Sequence, residues 1–195
     1  MSNLASAGLR KSSMPKIDCR RIAQEPPLHD SLLELYILSL FDRGFETAYD
    51  LQTQGRISLG SSVPSLRRME ASGLIRRKAS QESSKRKRHA FAVTAKGKHT
   101  VQTCWAGLLV SAPPSDLDAV LRTVDILRTY QVPPQEIAKF LTRAAAERTA
   151  MAKRINNTAP DPTPGLEYLT SRHTWDLNRF RMEAKFLAQL AKAAM

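Results

Sequence analysis

Apolar and polar positions follow a helical period along most of this chain, and the breaks in the pattern mark the connections. Leu32, Leu33, Leu35, Tyr36, Leu38 and Leu40 leave few polar positions between them. The segment opening near Leu28, with Asp30 and Ser31 available as caps, is therefore expected to be a helix surrounded by other elements. Gly44 ends it. Thr47 caps a short second helix, Ala48–Gln54, with Tyr49 and Leu51 turned inward, and residues 55–59 form a turn. A third helix spans about residues 60–72. Its inward face reads as Val63, Leu66 and Met69, and its outward face as Ser61, Ser62, Ser65 and Arg68. Pro64 falls in the first turn, where no helical N–H partner is lost, and Gly73 suits the left-handed position that stops a helix. Leu74–Lys78 and Arg88–Thr94 then read as two strands, joined by the polar, basic loop Ala79–Lys87.

Beyond Thr94 the strand signals cease. A helix over Thr94–Val110 carries Val101, Trp105, Leu108 and Leu109, and Pro113-Pro114 breaks it. Leu117, Val120, Leu121, Val124 and Leu127 follow at helical spacing, with Ser115 as cap and Asp116 and Asp118 favourable in the first turn. Pro133-Pro134 opens another helix, with Ile137, Phe140, Leu141, Ala144, Met151 and Ile155 on one stripe, and the proline-bearing stretch 156–165 is a loop. The last helix, about residues 166–193, shows two apolar stripes: Leu177, Phe180, Ala184, Leu187 and Ala191, and separately Trp175, Met182 and Phe186. One stripe packs on its own chain, and the other calls for a second surface, which a symmetry-related copy supplies most simply.

The expected fold is mainly α. Three helices and a two-stranded wing make an N-terminal winged helix-turn-helix, followed by a C-terminal helical dimerisation region. The expected divisions are a basic flexible tail over 1–27, a DNA-binding unit over 28–98, and a dimerisation and effector unit over 99–195.

Charge sharpens this reading. The 195 residues carry a net charge of +12, which points to a polyanionic partner. Residues 1–98 hold 18 Lys and Arg against 9 Asp and Glu, whereas residues 99–195 hold 12 against 9. Within 76–88 alone, seven cations face one acid, Glu82. A run of that kind is most simply a solvated face. Its place after a helix-turn-helix pattern argues for phosphate contact.

Other chemistry finds little support. Cys19 and Cys104 are isolated, forming neither a disulfide framework nor a zinc spacing. Cys104, beside Trp105 in an apolar helix, reads as a packed thiol. His29, His89, His99 and His173 make no metal-binding motif, and neither a glycine-rich phosphate loop nor a nucleophile elbow is present. No enzyme activity, metal or cofactor is expected. No run approaches the roughly 18 apolar residues needed to span a bilayer, and residues 1–21 lack the apolar core of a secretory signal. The expected compartment is the cytoplasm.

Leu59-Gly-Ser-Ser-Val-Pro-Ser-Leu-Arg-Arg-Met-Glu-Ala-Ser-Gly-Leu-Ile75 resembles the third helix of PadR-family transcriptional regulators, in which a glycine and small polar residues lead into an apolar pattern closed by Gly-Leu-Ile. Arg88-His-Ala-Phe-Ala-Val-Thr-Ala-Lys-Gly97 is similar to that family's second wing strand and its Thr-x-x-Gly exit. The match covers about residues 28–98. MarR-like and ArsR-like winged helices share much of it. The chain departs from the family at Val63, where an aromatic is common, and at the wing tip, where Ser83-Ser-Lys-Arg-Lys-Arg88 replaces a longer glycine-containing turn. The resemblance implies a homodimer, joined through its C-terminal helices, that represses transcription at a palindromic operator. The alternative is a MarR-like or other winged-helix nucleic-acid-binding adaptor without effector response.

A recognition helix presents its N-terminal residues to the major groove. Ser61, Ser62 and Ser65 are accordingly the candidates for base or phosphate contact, and Arg67 and Arg68 for a phosphate or a guanine edge. Lys85, Arg86, Lys87 and Arg88 are the wing's candidates for phosphate or minor-groove contact. Trp105 and Trp175 are candidates to line an apolar pocket for a small aromatic effector. The expected partner is double-stranded DNA.

Overall fold

A computed structural model describes residues 28–78, 89–158, 165 and 167–195. The expected tail over 1–27, and the wing-tip residues Lys85, Arg86, Lys87 and Arg88, lie outside the described residues. The order is α1 (Leu28–Asp42), α2 (Ala48–Thr53), α3 (Leu59–Ala71), β1 (Ile75–Arg77), β2 (Phe91–Val93), α4 (Ala95–Val110), α5 (Leu117–Thr129), α6 (Pro134–Asn157) and α7 (Glu167–Ala193). The fold is mainly α, with three helices and an antiparallel hairpin stem in a winged-helix arrangement.

α1 is the centre of the first core, as its nearly unbroken apolar run requires. Ile37, Leu38, Leu40 and Phe41 are buried with Leu51, Ile57, Leu66, Met69, Ile75 and Phe91, each large side chain contributing about 1.5–3 kcal/mol of transfer free energy. Ser39 is buried among them because its hydroxyl donates to the Tyr36 carbonyl at 2.7 Å. The helix starts ahead of its expected caps: Asp30 and Ser31 lie within it.

The hairpin stem is short and firmly seated. Ile75 pairs with Val93, Arg76 with Ala92 and Arg77 with Phe91. The Phe91 N–H donates to the Glu46 carbonyl at 2.7 Å, and its ring stacks on Phe41 with centroids 6.2 Å apart. The Thr94 hydroxyl donates to the Gly73 carbonyl at 2.7 Å and accepts from the Gly97 N–H at 3.1 Å, capping α4 where the chain leaves the stem. Gly97 is obligatory here, because a Cβ would stand 2.2 Å from the Leu74 carbonyl oxygen.

α5 joins the two halves. Its Ala119 and Ile126 belong to the first core, while Val120, Val124 and Leu127 belong to a second core with Phe140, Leu141, Ala144, Leu187 and Ala191. The first core thus reaches past residue 98. Asp116, not Ser115, caps α5: its carboxylate accepts from the Ala119 N–H at 2.9 Å. On the surface between the halves, Arg43, just past α1, holds Asp125 of α5 at 2.6 Å, and the Arg122 guanidinium lies 5.8 Å from the Tyr36 ring centroid. Deeper in, Arg148 of α6 is buried; it pairs with Glu183 of α7 at 2.7 Å and donates to the Pro114 carbonyl at 3.2 Å. Among the described residues, no helix is long and apolar enough to cross a membrane.

Candidate nucleic-acid interface

The helix-turn-helix is built by local chemistry. Thr47 and Asp50 form a reciprocal capping box at α2: the Asp50 N–H donates to Thr47 Oγ1 at 3.1 Å and the Thr47 N–H to Asp50 Oδ2 at 2.9 Å. Gly55 lets the chain fold back on α2, since a Cβ there would meet the Leu51 carbonyl oxygen at 2.7 Å. Arg56 takes the left-handed conformation at φ +51°, and Ile57 anchors the turn in the core. Ser58 then caps α3, accepting from the Ser61 N–H at 3.2 Å. Leu59, Gly60 and Ser61 are exposed at the start of α3, where the helix dipole favours an anion.

The phase of α3 differs from the sequence expectation. Its buried stripe is Ser62, Ser65, Leu66 and Met69, at i, i+3, i+4 and i+7. Ser62 and Ser65, expected on the outward face, are therefore buried beside Leu66 and Met69 of the first core, and only Ser61 of the three serines is exposed. Serine is small enough to sit where helices approach closely. Ser65 can be buried because its hydroxyl donates to the Ser61 carbonyl one turn back, at 3.0 Å. The Ser62 hydroxyl is buried without a hydrogen-bond partner among the described residues. Val63, expected inside, is 36% exposed, and Tyr49, also expected inside, is 53% exposed. The spacing of Ser62 with Leu66 and Met69 was the available signal, hidden by the polarity of serine.

The arginines of α3 divide by their partners. Arg68 is held at 2.8 Å by Glu34 of α1 and lies 3.3 Å from Ser65 Oγ. That ion pair, formed across 34 residues, draws it toward the scaffold. Arg67 is exposed and has no ion pair among the described residues. The neighbouring cations behave like Arg68: Arg77 pairs with Glu70 at 2.8 Å, Lys78 with Glu46, and Lys98 with Asp42 at 2.9 Å. Among the described residues, Arg56 on the turn and Arg76 on β1 join Arg67 as exposed cations without an ion pair. Between α2, α3 and the stem lies a groove of about 350 Å³, bordered by Tyr49, Val63, Leu66, Arg67, Glu70 and Phe91.

The two tryptophans lie in different surroundings. Trp105 is half-buried between the two cores. Trp175 is 55% exposed on α7, with the Arg172 and Arg179 guanidiniums 5.3 and 5.1 Å from its ring centroid. It borders a cleft of about 520 Å³ with Leu117, Met182 and Phe186. Cys104 is half-buried, and among the described residues no cluster of three His, Cys, Asp or Glu could hold a metal ion.

No family model and no curated protein matches this chain. Among solved structures, the chain is similar to the crystal structure of Bacillus subtilis PadR in complex with operator DNA. The likeness has 16% sequence identity and a TM-score of 0.39, over 86% of this chain and 99% of that one.

Proposed function

We propose that this chain is a sequence-specific, duplex-DNA-binding transcription regulator, acting as a homodimeric repressor of PadR type. The observation that carries the reading is the state of the α3 surface. Arg68, Lys78 and Arg77 are paired with Glu34, Glu46 and Glu70, while Arg56, Arg67 and Arg76 are exposed without ion pairs among the described residues. Cations without acidic partners beside the start of α3 are available to phosphates, with counterion release on binding. The cations Lys85, Arg86, Lys87 and Arg88 extend the same charge along the sequence. The PadR type rests on the residue patterns of 59–75 and 88–97.

The dimer is supported by α7. Leu187 and Ala191 are buried, while Tyr168, Trp175 and Met182, seven residues apart, are exposed together with Phe186. A repeat of seven on one helix face suits packing against a second helix of the same kind.

The test is competition at fixed ionic strength. A duplex recovered by selection from random sequences should displace bound labelled duplex better than either of its single strands does. Footprinting should show two protected half-sites about 34–36 Å apart, one helical turn. Equal displacement by single strands would favour the adaptor reading, and absence of any retained duplex would remove the proposal.

A further inference from the structure

Among the described residues up to 109, the exposed large apolar side chains are Tyr49, Leu59 and Val63. All three belong to α2 and α3. Leu59, Val63 and Arg67 stand four residues apart, so they form one row along α3. Val63, Arg67 and Tyr49 border the same groove. Beside the row, Gly60, Ser61 and Pro64 are small or compact. An apolar row in water is unfavourable unless something covers it, and here it leads to an exposed arginine without an ion pair among the described residues.

We infer that Val63 is a sequence-reading residue that contacts the 5-methyl group of a thymine in the major groove. The inference rests on the duplex-DNA reading above and assigns the chemistry of its specificity. The major-groove edges of the bases carry donors and acceptors and one apolar group, the thymine methyl. With Ser62 and Ser65 buried, this end of α3 has lost two of the hydroxyls that could read donors and acceptors. What it presents instead is branched hydrocarbon, which only that methyl matches. Arg56 and Arg67 supply the charge complementarity that makes a duplex, and not an apolar partner, the occupant of this surface.

The experiment uses the full chain and a duplex selected from random sequence. Each thymine of the selected half-site is replaced in turn by uracil, which keeps base pairing and removes only the methyl. One position per half-site should weaken wild-type binding about fourfold, the weight of one buried methyl group. Val63→Ala should bind the thymine and uracil duplexes equally at that position. Because Val63 is exposed, this variant should keep the wild-type circular dichroism and melting temperature. If no uracil replacement matters, or if Val63→Ala keeps the same thymine-to-uracil ratio, the inference fails while DNA binding stands. Selection yielding no preferred sequence but firm duplex binding also overturns it. No duplex binding at all removes the underlying reading as well.

Discussion

At the scale of single residues, burial and pairing separate side chains that look equivalent in the sequence. Ser61 and Ser62 are neighbours, yet one ends at the surface and the other in the core. The buried Ser62 hydroxyl has no hydrogen-bond partner among the described residues, and an unsatisfied buried hydroxyl costs free energy that a methyl group does not. Ser62→Ala is expected to raise unfolding stability by about 1 kcal/mol in urea denaturation and to leave DNA affinity unchanged. Lower DNA affinity would put the hydroxyl back at the interface. Arg67 and Arg68 form a second such pair. Titration of binding against salt should show Arg67→Ala lowering affinity for all duplexes and reducing the slope by about 0.9, one phosphate contact. Arg68→Ala should change the slope less, since Glu34 already holds its guanidinium.

Elements are positioned by a few close approaches. α4 can leave the stem only because residue 97 lacks a side chain: the 2.2 Å separation from the Leu74 oxygen leaves no room for a Cβ. Gly97→Ala should therefore cost several kcal/mol, on the scale of about 1–3 for overpacking and more for backbone displacement, read as a lower midpoint in thermal or urea unfolding. A second device lies where α5 ends beside α1. Burial, and then the nearby Asp42 carboxylate, push the Tyr130 phenol up to about 12 from its usual 10.0. The neutral phenol is thus favoured by folding. Its contribution is fully present below pH 10 and is lost as pH rises toward 12. The melting temperature should fall across this window in the native protein, and the fall should be shallower in Tyr130→Phe.

For the whole molecule, the exposed apolar side chains among the described residues include two groups, Tyr49, Leu59 and Val63 on α2 and the start of α3, and Tyr168, Trp175, Met182 and Phe186 on α7. The first is the proposed DNA surface and the second the proposed dimer surface. Trp175 is flanked by Arg172 and Arg179, so the α7 stripe is partly screened by cations yet keeps Met182 72% exposed. Met182→Lys should halve the mass seen in sedimentation and weaken binding to a two-half-site duplex by at least tenfold through lost avidity. A single half-site should be bound as before. Wild-type protein that is already monomeric at micromolar concentration would refute the dimer.

Much of the architecture was legible in the sequence because its causes are local. The cap at Thr47, the stop at Gly73, the breaks at the paired prolines and the helical periods of α5 and α6 depend on residues within a few positions of each other. The exposed Trp175–Met182–Phe186 stripe was legible for the same reason. The phase of α3 was not: Val63 with Leu66 and Met69 is as regular a face as Ser62 with Leu66 and Met69. The choice was made by close packing of α3 against the first core and by the Ser61 carbonyl accepting the Ser65 hydroxyl. Nor could the sequence divide Arg67 from Arg68, since Glu34 comes beside α3 only when α1 is packed. The chain alone determined which elements form and in what order, through propensity, caps and spacing. Tertiary contact decided which side of each element meets solvent, because burial and ion pairing are set by neighbours distant in sequence.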